Sequence, residues 1–155
     1  MKNIILVAVA FGLAATLSAC GSTGIQNEGL LKQPLTGGQS RVKIVRSEQF
    51  LASGRGARVK IDGKEVADIG NGAGAILDVP AGPHNVSVDV WDHPNVFNLR
   101  IEAKPGRMYT LLIKPREDAV MAGAVLGVAG MLVEAAANEN GGLFQVEVVD
   151  EQRIG

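Results

Sequence analysis

Between Arg41 and Asp150, apolar residues recur at every second position in short runs, and glycine or proline interrupts nearly every run. The clearest case is Val86, Val88 and Val90, which alternate with Asn85, Ser87 and Asp89. A period of two sends successive side chains to opposite faces, so such a run is a strand with one buried and one wet face. Val42 and Ile44, Val59 and Ile61, Leu77 and Val79, Phe97 with Leu99, Ile101 and Ala103, and Phe144 with Val146 and Val148 repeat the pattern. Met108–Lys114 is apolar on both faces, as a central strand is. Between the runs stand turn formers. Asp62-Gly63 has the chemistry of a two-residue type I′ hairpin, which needs positive φ at both central positions. Gly70-Asn71-Gly72, Pro80-Ala81-Gly82-Pro83, Trp91–Asn95 and Lys104–Arg107 are the other connections. The spacing predicts an all-β antiparallel sandwich of about seven to eight strands.

Composition agrees. The chain has 155 residues, 20 of them glycine and only 4% aromatic, enough for one domain with a modest core. The 15 Lys+Arg against 16 Asp+Glu leave no basic face for nucleic acid. The lone cysteine, Cys20, leaves no disulfide framework.

Lys2 followed by the apolar run Ile4–Leu17 and then Ser18-Ala19 is a secretory signal, too short for a membrane span. Leu17-Ser18-Ala19-Cys20-Gly21 resembles the lipobox of bacterial lipoproteins. The resemblance implies that the sulfur of Cys20 takes a diacylglycerol, that residues 1–19 are removed, and that the new amine is acylated. Two or more acyl chains anchor stably where one does not. In lipoprotein sorting an Asp after the cysteine favours the inner membrane. Here Gly21 and Ser22 stand instead, so the resemblance implies an outer-membrane anchor facing the periplasm. Residues 20–40 are polar and without period, and are expected to form a flexible tether with an r.m.s. span of about 25 Å. Residues 41–155 form the sandwich.

Within it, Val59-Lys60-Ile61-Asp62-Gly63-Lys64-Glu65-Val66, Leu77–Val88 with its Pro80-Ala81-Gly82-Pro83-His84 turn, and Lys104-Pro105-Gly106-Arg107-Met108-Tyr109 are similar to PEGA-type modules. The chain as a whole resembles small bacterial lipoproteins with a PEGA-like, transthyretin-like domain of unknown function. That resemblance brings no catalytic residues with it.

One segment breaks the β pattern. Ala119–Val133 carries no charge, and its glycines and apolar residues fall at helical spacing. A Gly/Ala-rich helix over 119–137, before the last strand, is expected. Gly123 and Gly127 match the GxxxG spacing by which helix backbones approach, and Gly130 continues the small-residue stripe. The uncharged run spans about 22 Å as a helix, short of the roughly 30 Å of a hydrocarbon core. Two readings stay open: a helix or hairpin packed across the sandwich, or a sticky face for a second copy or the anchoring bilayer.

No reaction chemistry emerges. His84, beside a turn, is expected to be structural. Asp89, Asp92 and His93 lack the spacing of a known metal site and are expected to form a solvated loop. Trp91 is expected to pack on a neighbouring loop. No serine sits in a nucleophile elbow and no phosphate loop is present. No cofactor, metal or enzymatic activity is expected. The function these features imply is a membrane-anchored, non-catalytic envelope protein whose partners are membrane lipid, through acylated Cys20, and an unidentified envelope protein. The alternatives are a self-associating component of a secretion or pore assembly that uses 119–137 and, last, a small hydrolase or metal-binding protein.

Overall fold

A computed structural model describes residues 23–137 and 140–155. Among them are nine strands and one α-helix: β1 (Ile25–Gln26), β2 (Gln39–Arg46), β3 (Ala57–Ile61), β4 (Lys64–Ile69), β5 (Gly74–Pro80), β6 (Gly82–Asp89), β7 (Phe97–Ala103), β8 (Arg107–Pro115), α1 (Glu117–Ala137) and β9 (Phe144–Arg153). A short 3-10 helix, Glu28–Lys32, follows β1. One sheet has the order β1-β5-β2-β8-β9 and the other β4-β3-β6-β7. The chain is the expected all-β sandwich, with its helix before the last strand. Most pairs are antiparallel; β1/β5 and β2/β8 are parallel.

The alternating residues meet between the sheets. Val42 and Ile44 of β2, Tyr109, Leu111 and Ile113 of β8, and Phe144 and Val146 of β9 face Val59, Ile69, Val86, Val88 and Ile101 of the other sheet in one buried cluster. In β8 the second face is half-buried rather than apolar core, since Thr110, Leu112 and Lys114 point away from it. Between β3 and β4, Asp62 and Gly63 have φ of 52° and 80°, the two positive values that a type I′ turn demands. Tyr109 closes the β7–β8 turn: its hydroxyl donates to the Glu102 carbonyl at 3.1 Å and accepts from the Lys104 N–H at 3.0 Å. The last strand departs from its alternation. The β8–β9 register shifts between Thr110, which pairs with Asp150, and Leu111, which pairs with Val148. Val149 is the extra, unpaired residue of this bulge; it is 50% exposed, and Val148 beside it, opposite Leu111, is already 43% exposed.

The segment read as a tether is largely fixed. Ile25–Gln26 pairs with Gly74-Ala75, and the 3-10 helix lies on the outer face of β5. The reason is Arg41, a residue the alternation puts on that outer face, and yet only 2% exposed. Its guanidinium grips Asp78, its register partner on β5, through two bonds of 2.7 and 2.9 Å, and donates a third, at 3.0 Å, to the Gln33 carbonyl. Asn27 adds a bond to the Ile76 carbonyl at 3.3 Å. Polar composition misled because a buried Arg–Asp pair needs a polar cover, and residues 27–33 supply it.

Arg41→Ala should strand the Asp78 carboxylate and cost about 3 kcal/mol of unfolding free energy. Urea denaturation measures the loss, and amide exchange should speed up first in residues 25–33.

Candidate functional site

The loops at one end of the sandwich are organised by two buried arginines. β2 finishes at Arg46, which is 3% exposed. Its guanidinium donates to the Arg55 carbonyl, to Ile69 O at 3.0 Å and to Ala52 O at 2.7 Å, and lies 4.4 Å from the centre of the Phe144 ring. It thereby binds the 47–56 loop to the ends of both sheets. With its backbone so held, that loop presents Phe50 at 94% exposure and Leu51 at 42%. Arg55 in turn bonds Asp92 at 2.7 Å in the β6–β7 loop. Beside it Trp91 stands 77% exposed, not packed on a neighbouring loop as expected.

Arg116, 8% exposed, holds the base of α1. Its N–H donates to Leu143 O at 2.8 Å, and its guanidinium donates to Asn140 O and Gly142 O, each at 3.2 Å, and to Asp118 at 2.6 Å. The chain thus leaves and returns at one point. A straight helix of 21 residues would end about 31 Å away, which the three residues from Ala137 to Asn140 cannot recover. Gly127 resolves the conflict. Its φ of 60° and ψ of −145° break the helix, a conformation open to glycine, and the segment doubles back there as a helical hairpin. Ala119 is buried and Val120 packs on the core, but Met121, Val125, Leu126, Val128 and Leu132 are 57–72% exposed. The helix is therefore not laid across the sandwich. No helix among the described residues is long and apolar enough to cross a membrane.

The residues singled out from sequence fare differently. Cys20 and the signal lie outside the described residues. Gly123 and Gly127 do not share one helix face, because the backbone at Gly127 is not helical, so their GxxxG spacing forms no continuous groove. Gly123 lies at the foot of the hairpin beside Arg55 and His93. Gly130 falls in the returning helix.

At that foot is a cleft of about 250 Å³, lined by Arg55, Asp92, His93, Ala119, Val120, Gly123, Ala124 and Leu143. His93 is buried, its Nδ1 donating to Pro94 O at 2.7 Å. The loop expected to be solvated is so at Trp91 and Asn95, while His93 is buried and Asp92 half-buried. Asp92 Oδ1 and His93 Nε2 have no hydrogen-bond partner among the described residues. Still, no three His, Cys, Asp or Glu side chains gather around a metal-sized space among those residues.

His84 sits at the opposite end. Its Nδ1 meets Asp62 Oδ2 at 2.6 Å and its Nε2 meets Pro80 O at 2.8 Å. Carboxylate and carbonyl both accept only, so both ring nitrogens donate and the imidazolium is the favoured form. Burial pushes the His84 pKa down, but the Pro80 carbonyl and then Asp62 outweigh it, and the net shift is upward from 6.5. The Asn85 N–H and then His84 hold the Asp62 carboxyl below its ordinary 3.8. The pair clasps the Asp62-Gly63 turn to the Pro80–Gly82 turn, the structural role expected of His84.

No protein-family model matches the chain, and no curated protein matches it. Two of the solved structures that show similarity are the following. One is the N-terminal domain of AlgF from P. aeruginosa, at 13% identity and a TM-score of 0.38, over 74% of this chain and 96% of that one. The other is an NMR structure of a protein from Eubacterium rectale, at 13% identity and a TM-score of 0.42, over 73% and 90%. Neither likeness bears on function.

The clasp sets a pH dependence. The raised His84 stabilises fully below about 6.5, and its contribution is lost as pH rises through the folded value; the lowered Asp62 stabilises above about 3.8, and its contribution is lost as pH falls through the folded value. Thermal unfolding should therefore separate wild type from His84→Gln most between about pH 4 and 6.5, with the gap narrowing above that window.

Proposed function

We propose that the chain is a bacterial lipoprotein, held by acylated Cys20 at the periplasmic face of the outer membrane, whose non-catalytic β-sandwich acts in envelope structure or by contact with another envelope protein. The observation that carries this reading is the lone cysteine placed directly after Leu17-Ser18-Ala19, at the end of an apolar export signal. A thiolate is the side-chain nucleophile suited to forming a stable thioether near neutral pH. Gly21 and Ser22, in place of an Asp, support the outer membrane over the inner. Kinship with PEGA-like lipoproteins is part of the proposal, and the turn residues Asp62, Gly63, Pro80, Gly82 and His84 support it.

The mode of action is positional. Both histidines among the described residues spend ring nitrogens on holding turns, and the buried arginines on holding loops. What the molecule offers a partner is surface, confined to two dimensions by its lipid, where weak contacts suffice. A second reading, self-association through 119–137 within a larger assembly, is favoured by the exposure of Val125, Leu126 and Val128.

Mass spectrometry of the N-terminal peptide from envelope-extracted protein should show residue 20 as the first residue, carrying diacylglyceryl and acyl groups. Cys20→Ser protein should show neither the acyl mass nor the cleavage. Wild-type protein recovered unacylated from the soluble periplasm would contradict the reading.

A further inference from the structure

The connections at one end of the sandwich are the tight turns Asp62-Gly63, Pro80–Gly82 and Lys104–Gly106, and most of the exposed large apolar residues, those of α1 with Phe50, Leu51 and Trp91, gather at the other end; Leu31, Val148, Val149 and Ile154 lie elsewhere. β1 runs parallel to β5 with Ile25 opposite Gly74, Gly74 lies opposite Val45 at the close of β2, and Val45 lies opposite Leu112 near the close of β8. The chain preceding β1 therefore leaves the fold at the end where β8 hands over to α1. Three strand spacings of about 4.8 Å separate those two points, roughly 14 Å. The four residues from Cys20 to Gly24 reach at most about 14 Å. Phe50 and Trp91 stand on loops at this same end, which Arg46 and Arg55 tie together.

We propose that this end is a second membrane contact: the apolar hairpin of α1 inserts its tip, Val125–Val128, into the bilayer that holds Cys20, with Phe50 and Trp91 at the headgroup level. The proposal rests on the lipid anchor for its geometry, and it adds the orientation that an anchor alone does not give. The dimensions fit. Beyond the buried first turn, Met121–Leu126 rises about 9 Å, within the 5–10 Å to which interfacial helices sink. The tip carries no charge, and an aromatic pair beside an apolar wedge is the arrangement that membrane interfaces favour. The bilayer also explains why so much apolar surface is uncovered: a four-residue leash keeps it beside lipid and away from water. The Asp62-Gly63, Pro80–Gly82 and Lys104–Gly106 turns then point away from the membrane, open to partners.

Single added cysteines test it in the full chain. An acylated Cys20 has no free thiol, so Leu126→Cys and Lys104→Cys each take one environment-sensitive nitrobenzoxadiazole dye. The proteins are purified from the envelope and reconstituted into phosphatidylethanolamine–phosphatidylglycerol vesicles, and dithionite reduction of the outward-facing dye is timed. Both positions are exposed or at a turn, so the labels leave the core intact. The dye at residue 126 should be reduced about tenfold more slowly than that at residue 104, at every protein-to-lipid ratio and regardless of salt. Equal rates would overturn the proposal while leaving the anchor standing. Protection that appears only at high protein-to-lipid ratio would overturn it in favour of a second copy. Two dyes per chain, seen before any vesicle is added, would mean a free Cys20 and would overturn the anchor and with it the proposal.

Discussion

Strand β2 pairs antiparallel with β5 on one side and parallel with β8 on the other, and that choice of directions decides what each end of this molecule carries. Because β2 and β8 finish side by side, the long 47–56 loop and the α1 excursion leave from the same edge. Because β5 starts there, β1 and the chain before it are brought to that edge as well. In the second sheet β3 and β7 start, and β6 ends, at the same level, which adds the Trp91 loop. The opposite end is left with tight turns of Asp, Gly, Pro and Lys. A reversed β8 would put the apolar hairpin beside the Asp62–His84 clasp and separate it from the N-terminus.

Buried cations make this polarity rigid. Arg41, Arg46 and Arg116 each lie at or below 8% exposure, and each spends its donors chiefly on backbone carbonyls or a carboxylate. A guanidinium carries five N–H groups in a fixed fork, so one side chain can satisfy several carbonyls that a loop would otherwise leave to water. Arg41 fastens the N-terminal segment, Arg46 the 47–56 loop and Arg116 both feet of the hairpin. The same device thus fastens three excursions of the chain, outside the main strands, to the body of the sandwich.

The strands were legible in the sequence because each has one face in a core: Val86 and Val88 reveal β6, and Ile61-Asp62-Gly63-Lys64 reveals a hairpin by turn chemistry alone. The fate of residues 25–33 was not legible. Their order depends on Arg41 and Asp78 meeting across β2 and β5, and local pattern carries no trace of a pairing 37 residues apart. The helix of 119–137 was legible as a helix, but its reversal at Gly127 was not. Glycine permits both helical and left-handed backbone, and only the closure at Arg116 selects between them. The GxxxG spacing failed for the same reason. The exposure of Trp91 was not legible either: it stands in the β6–β7 loop beside Asp92, whose bond to Arg55 joins two loops far apart in sequence.

The claim on which the account turns is that the loop end of the sandwich rests on lipid. The chain contains one tryptophan, Trp91, and it lies at that end. The direct measurement is its fluorescence in the acylated full chain on vesicles whose lipids carry bromine at defined acyl depths. The account predicts a blue-shifted emission quenched most by bromine near the headgroup. Emission at the wavelength of a hydrated indole, indifferent to brominated lipid at any depth, would contradict it.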